Sequence, residues 1–574
     1  MRNLFPFMKN YRTQIILGPF FKFLEAVFEL ILPLLMAGLV DQGITQNNRQ
    51  LIWVMTGWMV FFSITGLLCA LICQYYASIA SQGFGTEIRN QLMKKINQLS
   101  HTQLNTLGTD TLITRMTNDV NQLQVALAMV IRLLVRAPFL SVGSVVMAFI
   151  IDWHAGVIFL LTLPIFCFVL YWIITKTVPL YQKVQGKLDQ INALVTQNLS
   201  GVRVIRAFTR TKTETKHFNA ATDDLARTYT RVTNLSALLS PATTLILNLG
   251  VIALFTVGGV KVNLGELQQG EVLALVNYMN QMLLALIVVS NLVVLFTRAH
   301  ASSLRVNEVL AMTTNSEETT TTPQPLTSGN IRFEAVAFRF APEYGLALHN
   351  LSFAVQSGTT LGVIGATGSG KTALTQLIPR FYETTSGRVL VDGQNVNEWP
   401  LATLREAIGI VPQKAVLFSG TIRENLQWGK KEADDSEIWY ALWLAQIDDF
   451  VRSLPQELDT PVFEGGKNFS GGQRQRLTIA RALIRRPKIL ILDDSLSALD
   501  YQTDLNLRKT LAKIPNLTLI IISQRVRSLQ EADQILVLAD GKMNGLGTHQ
   551  ELLVTSTLYQ ELVTSQKEEQ HASQ

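Results

Sequence analysis

Three segments in the last third of the chain carry residue types that handle a phosphate chain. Gly365-Ala366-Thr367-Gly368-Ser369-Gly370-Lys371-Thr372 fits the phosphate-loop pattern G-x-x-x-x-G-K-[ST] at every fixed position. Glycines there let backbone N–H groups approach phosphate oxygens. Lys371 neutralises charge on the outer phosphates, and the Thr372 hydroxyl is a magnesium ligand. The apolar run Ile489-Leu490-Ile491-Leu492 ends in Asp493 and Asp494. It reads as a buried parallel strand presenting a carboxylate at the carboxyl edge of a sheet, where Asp493 would hold magnesium through water. Alone, that pattern is more often a plain strand end; in phase with a phosphate loop it becomes the second half of a nucleotide site. Between the two, Ser470-Gly471-Gly472-Gln473 opens a helical stretch, and free N–H groups at a helix start favour a phosphate.

These residues need a strand, a loop and a helix to position them. Thr360–Ile364 is a β-like run directly before the phosphate loop, and a helical pattern follows. Short β-like runs alternate with helical stretches over 331–565, which predicts a water-soluble α/β domain. Thr313–Asn330 is rich in Thr, Ser and Pro without apolar periodicity and reads as a flexible polar linker. The polar tail, 566–574, is expected to be disordered.

The first half of the chain follows a different logic. With 574 residues, 48% hydrophobic content and only 16% charge, the protein is multidomain and built for a membrane. Six apolar stretches are long enough to span a bilayer, near Ile15–Val40, Leu51–Tyr75, Leu133–Ile151, Val157–Ile174, Leu245–Val262 and Val272–Phe296. The connections alternate short and long, and the long ones carry the basic residues. The positive-inside rule therefore places the long loops and both termini in the cytoplasm. They continue the helical pattern, so the helices should project beyond the bilayer, and Leu4–Tyr11 fits a short interfacial helix. The net charge of +6 is accounted for by these flanks and does not call for nucleic acid. Cys69, Cys73 and Cys167 lie in apolar stretches without metal-ligand spacing, which implies packed or lipid-facing thiols and no disulfide framework. The first apolar stretch has no cleavage pattern and should remain as an anchor.

In order and spacing, the three phosphate-handling segments resemble the ATPase domain of ABC transporters. With the six spans ahead of it, nearly the whole chain resembles exporters of that family. The resemblance implies a six-helix α transmembrane domain over 1–312 followed by an α/β P-loop nucleotide-binding domain, with ATP and Mg2+ as cofactors. It also implies roles for further residues. Ile410-Val-Pro-Gln413 looks like the exporter Q-loop, in which Gln413 would sense the γ-phosphate and magnesium. Phe469-Ser-Gly-Gly-Gln-Arg-Gln-Arg476 resembles the signature motif, with Phe for the usual Leu, so that Ser470, Gly471, Gly472 and Gln473 would face ATP held by a partner subunit. Ser497-Ala-Leu-Asp500 matches the D-loop, which crosses the dimer interface. Phe340 stands where an aromatic, usually Tyr, stacks on adenine, with a core role within Phe338-Arg-Phe340 as the lesser alternative.

Two departures from the family pattern decide the expected mechanism. Asp493 is normally followed by Glu, and Ile521-Ile-Ser-Gln524 normally has His where Gln524 stands. A base must reach the attacking water at about 3 Å. Asp494 is one methylene short of Glu, and a misplacement of ~1 Å costs on the order of 100-fold in rate. Gln524 can donate a hydrogen bond to the γ-phosphate but does not titrate as imidazole does. The chain therefore resembles the degenerate subunit of bacterial heterodimeric multidrug exporters. That implies a non-identical partner with Glu and His, amphipathic or hydrophobic small molecules as cargo, and a place in the bacterial cell membrane. A lipid or peptide exporter, an ATP-gated channel-type protein and a slow homodimer remain open alternatives.

Within the membrane half, Gly108–Asp119 and Asn198–Phe208 resemble the two coupling segments of the exporter fold. Lys22, Glu25 and Glu29 lie inside the first apolar stretch, on one helical face. An unpaired charge near mid-bilayer costs at least ~2.5–3.5 kcal/mol, so Glu29, with no cation within four residues, is a candidate contact for a cationic substrate.

Overall fold

The computed structural model describes residues 2–313 and 326–572, which fall into two compact units. The first comprises 2–97 and 109–312. The second comprises 98–108 with the described residues beyond 312.

Six helices of the first unit are long and apolar enough to cross a membrane. Arg49–Gln98 runs for 50 residues and Trp153–Ser200 for 48, about 70–75 Å each at 1.5 Å per residue. A bilayer takes roughly 20 residues of that, so these helices project well beyond the apolar slab, as their sequence pattern predicts. Arg2–Tyr11 forms a 3-10 helix ahead of the first long helix, Arg12–Gly38. Small and aromatic residues interlock the bundle: Ala26, Ala137, Ala148, Phe159, Phe166, Ala274 and Tyr278 are almost fully buried. Tyr278 donates its hydroxyl hydrogen to the Leu30 carbonyl at 2.5 Å, so the one polar atom of that ring is satisfied inside the core.

In the second unit a six-stranded sheet has the order Lys542–Gly547, Gln534–Ala539, Thr360–Ile364, Thr518–Ile522, Ile489–Asp493, Ile408–Val411. All neighbours are parallel except Lys542–Gly547, which runs antiparallel at one edge. Its parallel strands are near-continuous apolar runs because both faces are covered; Ile489, Leu490, Ile491 and Leu492 are all buried. Register places Ile522 opposite both Val363 and Asp493. The phosphate loop, Asp493 and the segment after Ile522 thus leave the sheet at one common edge. A second, antiparallel sheet, Leu348–Val355, Ile331–Phe338, Ser386–Val391 and Gln394–Asn395, shares a core with the six-stranded sheet, in which Phe333, Phe338 and Trp399 cluster with Leu361, Ile491 and Ile520.

Three sequence expectations are revised. Of the expected linker, 314–325 lie outside the described residues. Its last part is pinned: the Asp392 carboxylate accepts backbone N–H bonds from Thr327, Ser328, Gly329 and Asn330 at 2.7–3.0 Å, and these bonds hold its carboxyl below the usual range against burial. The polar tail is helical to its last described residues, within Thr557–Ala572, because Tyr559 and Val563 anchor that helix in the core. Finally, the segment that joins the ATPase unit from the first half is not Gly108–Asp119. It is the helix His101–Leu107, closed by a capping box in which Ser100 and Gln103 exchange hydrogen bonds. Asp119 instead belongs to the first unit, where Arg305 and Ser302 donate to its buried carboxylate.

Candidate functional site: a nucleotide pocket with an altered catalytic edge

The pocket begins where Thr360–Ile364 gives way to the phosphate loop. At Gly365 a side chain would run into the Leu538 carbonyl. At Gly370 the backbone has φ +98° and a Cβ would approach the Ala347 carbonyl at 2.7 Å. Only glycine meets both demands, and the result is a bare backbone cradle ending at helix Lys371–Leu377. Ala366, Thr367 and Gly368 form its exposed rim. The Lys371 ammonium is folded back into the loop, donating to the Gly365 and Ala366 carbonyls at 2.8 and 2.7 Å and lying 3.5 Å from Ser369 Oγ. Phosphate oxygens are the natural replacement for these carbonyls. Burial pulls the Lys371 ammonium below its ordinary range, against the upward influence of Asp494 and Asp493.

Across the strand edge, Thr372 donates its hydroxyl hydrogen to Asp493 Oδ1 at 3.3 Å. Asp494 is held at φ +45°, a left-handed conformation that Asp tolerates better than most side chains. Its carboxylate accepts from Gln413 Nε2 at 3.2 Å. Burial pushes both carboxyls above their usual range. Asp494 adds to the shift at Asp493, while Thr372 and Lys371 oppose it there, and Lys371, Gln413 and Arg525 oppose the shift at Asp494. Two acids raised by burial beside one hydroxyl and one amide oxygen are short of positive charge. That donor set suits a divalent cation that arrives with a phosphate chain. Among the described residues no group of three His, Cys, Asp or Glu could hold a metal on its own. The residues thus fit Mg2+, which Thr372, Asp493 and Gln413 would hold; the ion would supply charge neutralisation for the phosphate oxygens.

The other expected site residues lie around this edge with distinct local roles. Phe340 is 40% exposed and packs edge-on against Phe338 and Tyr382, with ring centroids at 4.8 and 5.3 Å. It is therefore neither a core residue nor a free one, and much of its ring is open to a flat partner. Ser470 caps the 13-residue helix Gly471–Leu483 through a capping box with Gln473. Ser470 and Gly471 are exposed, so the helix start is open to an external phosphate. Asp500 caps helix Tyr501–Leu511 by accepting from Thr503 N–H at 3.0 Å, which holds its carboxyl below the usual range. Gln524 is exposed on the loop leaving Thr518–Ile522, and its backbone carbonyl accepts from Gln566 at 2.6 Å.

Sequence reasoning missed Tyr382 and Gln566. Tyr382 touches Phe340 and accepts from Asn105 Nδ2 at 2.7 Å through its hydroxyl, while the neighbouring Phe381 stacks on His101 at 4.4 Å. Phe340 is thus linked through Tyr382 to helix His101–Leu107. The pattern Ser100-His-Thr-Gln103 is a readable capping box and was the available signal for that helix. Neither Tyr382 nor Gln566 belongs to a motif.

In the first unit, Glu29 is not a bare acid. Arg136, on another helix, donates to both of its carboxylate oxygens at 2.8–2.9 Å, and Lys22 pairs with Glu25 at 2.7 Å. Arg136 lies 107 positions away in sequence, so helical spacing alone could not reveal it.

A membrane bundle joined to a phosphate-loop α/β unit that carries Q-, signature- and D-loop segments defines an ATP-driven membrane transporter. Comparison with known proteins agrees. Residues 15–314 match the family model for the ABC transporter transmembrane region, and 348–497 match that for the ABC transporter. The chain is 37% identical to the uncharacterized ABC transporter ATP-binding protein YfiB of Bacillus subtilis, over 99% of this chain and 98% of that one. It is 33% identical to a fatty acid ABC transporter ATP-binding/permease protein of Mycobacterium bovis, over 83% of this chain and 75% of the other. A bacterial Atm1-family ABC exporter with ATP bound superposes with TM-score 0.80 at 24% identity, covering 97% of this chain and 98% of that chain. The protein belongs to the ABC transporter family and has the exporter fold, with six membrane-capable helices fused to one ATPase domain.

Proposed function

We propose that this chain is one half of a heterodimeric ATP-driven exporter, and that its own pocket forms the weaker of two ATP sites. One observation carries the reading. The cradle Gly365–Thr372, Lys371 and Asp493 keeps every phosphate-binding type, whereas the two positions that would handle the attacking water hold Asp494 and Gln524. Loss by drift would not spare one set and change the other. In the family's mechanism the signature Ser470 of this chain completes the partner's pocket, which supplies Glu and His. ATP binding closes the two ATPase domains and turns the cavity outward, and hydrolysis in the partner's pocket resets it. Within this chain's pocket, Lys371 and the loop amides hold the phosphates, Gln413 bridges the cation site and Asp494, and Asp494 is too short to take a proton from water at full efficiency. The purified full-length chain alone should bind ATP yet turn it over far below the roughly 1–10 s⁻¹ of an ordinary enzyme. Turnover at that rate without a partner would overturn the reading.

The cargo is amphipathic, and two chemistries compete. Multidrug efflux of apolar, often cationic compounds fits spans with few acids. A lipid-like anion is favoured by the charges in the bundle. Lys22 and Arg136 pair with Glu25 and Glu29, whereas Arg132 donates to the Ser78 hydroxyl and has no carboxylate at ion-pair distance among the described residues. The relative whose name specifies fatty acids points the same way.

A further inference from the structure

The last helix of the chain reaches the loop that follows Thr518–Ile522. There the Gln566 side chain makes two hydrogen bonds at once. Its Nε2 donates to the Gln524 carbonyl at 2.6 Å, and its Oε1 accepts from Val526 N–H at 2.9 Å. These two backbone groups flank Arg525, whose extended conformation, φ −94° and ψ 116°, turns them toward the same side of the chain. A primary amide is a neutral group that offers a donor and an acceptor side by side in one fixed plane. Leu would satisfy neither backbone group, and a carboxylate would satisfy only Val526. Gln566 is itself held firmly. Its helix is anchored by Tyr559, fully buried and hydrogen-bonded to His549 at 2.7 Å, and by buried Val563. The loop has further restraints of its own: Arg525 N–H donates to Ser523 Oγ at 3.0 Å, the Arg525 guanidinium donates to the Ser497 carbonyl at 3.3 Å, and the Arg525 and Val526 carbonyls accept from Ser528 and Leu529 N–H at 3.2 and 2.9 Å. The exposed Gln524 side chain therefore stands on a backbone whose own carbonyl is held by the C-terminal helix.

We infer that Gln566 is a positioning residue for the γ-phosphate switch. It holds the backbone on both sides of Arg525 so that the Gln524 amide meets the terminal phosphate of ATP. The C-terminal helix is thereby coupled to the discrimination of ATP from ADP. A Gln at the switch position sharpens the requirement: it contributes only a directional hydrogen bond, without the charge that protonated imidazole could add, so alignment of its backbone decides whether it engages. Because coupling is reciprocal, ATP in the pocket also orders the end of the chain.

This inference rests on Gln524 being the switch of this pocket. The test measures ATP and ADP affinity of the full-length chain in lipid nanodiscs by competition with a fluorescent nucleotide analogue, for wild type, Gln524→Ala, Gln566→Leu, Gln566→Glu and the Gln524→Ala/Gln566→Leu double variant. Gln566→Leu and Gln566→Glu should lower the preference for ATP over ADP about 3–10-fold, in line with one lost hydrogen bond, and leave ADP affinity unchanged. In the Gln524→Ala background Gln566→Leu should add nothing, since both act through one contact. Equal loss of ATP and ADP affinity, an unchanged ratio, or additive effects in the double variant would each reduce Gln566 to a structural residue and overturn the inference. If Gln524→Ala itself leaves the ratio unchanged, the switch assignment falls and this inference falls with it. An active Gln524→Ala effect beside silent Gln566 variants overturns the inference alone. Gln566→Glu keeps the Val526 acceptor at the chain's surface and so remains informative if Gln566→Leu misfolds.

Discussion

The two edges of the nucleotide pocket are built to different standards. On the phosphate-loop side, glycines, a lysine and a hydroxyl meet the same geometric demands that any triphosphate site must meet, and the parallel sheet fixes them at one edge. On the opposite side, Asp494 hydrogen-bonds Gln413 rather than lying free, and the switch position is a carboxamide whose loop hangs on Gln566. The difference teaches that holding ATP and attacking it are separable. Binding draws on many distributed contacts, whereas catalysis depends on one base and one sensor within about 1 Å of their proper places. A third region sharpens the contrast. Ser470 lies on an exposed, capped helix start, which under the proposed reading would serve a partner's pocket while this chain's own catalytic edge works less well.

The largest effect should therefore come from a residue outside this chain's own pocket. In the heterodimer proposed above, Ser470→Ala should lower ATP turnover of the complex by ~100-fold or more, the scale of losing preorganised electrostatic stabilisation. Asp494→Asn should cost the complex far less. Steady-state hydrolysis by the two reconstituted complexes decides it. The opposite ranking would mean that this chain's pocket is the working one.

A smaller effect should follow from repairing the altered edge. Asp494→Glu combined with Gln524→His should raise turnover by the isolated chain about 10–100-fold, since it restores the missing methylene and a titratable sensor. Nucleotide affinity should be nearly unchanged, because the cradle is untouched. Single-turnover hydrolysis is the measurement. If activity stays flat, the limit lies in the Gln413 contact or in the left-handed backbone of Asp494, and residue type alone does not set the difference between the edges.

Much of this contrast was legible before any coordinates. The phosphate loop announces itself because its glycine, lysine and threonine positions are fixed by the ligand, and the buried strand before Asp493 because parallel strands are apolar on both faces. The six spans follow from the bilayer's thickness. What was not legible are the contacts made across large sequence distances by residues with ordinary local behaviour. Arg136 satisfies Glu29, Asp392 gathers the amides of 327–330, and Gln566 clasps a loop some forty residues earlier. Nothing in period or spacing marks them. The misplacement of the first coupling segment has another cause. Gly108–Asp119 is rich in polar residues and looked solvent-facing, yet Asp119 is buried by Arg305 and Ser302, while the helix that joins the ATPase unit is the less conspicuous His101–Leu107.

The smallest expected effect concerns the link between that helix and the adenine-side aromatics. Tyr382→Phe keeps the ring that packs against Phe340 and Phe338 but deletes the hydroxyl that accepts from Asn105. Burial pushes the Tyr382 phenol above its ordinary range while Asn105 opposes that shift, so the hydroxyl stays protonated through the working pH range. Losing one partly buried neutral hydrogen bond is worth about 0.5–1.5 kcal/mol, a few-fold in any equilibrium it biases. Nucleotide affinity should barely move, because the aromatic surface offered to adenine is retained. The stimulation of ATP hydrolysis by transported compound in the assembled exporter should fall a few-fold, because Asn105 sits on the segment that arrives from the membrane half. The two readouts separate the roles. A loss of ATP affinity with stimulation intact would make Tyr382 part of the adenine platform alone. A loss of stimulation with affinity intact makes it the joint through which the binding edge of the pocket, the one left in full order, reports to the rest of the chain.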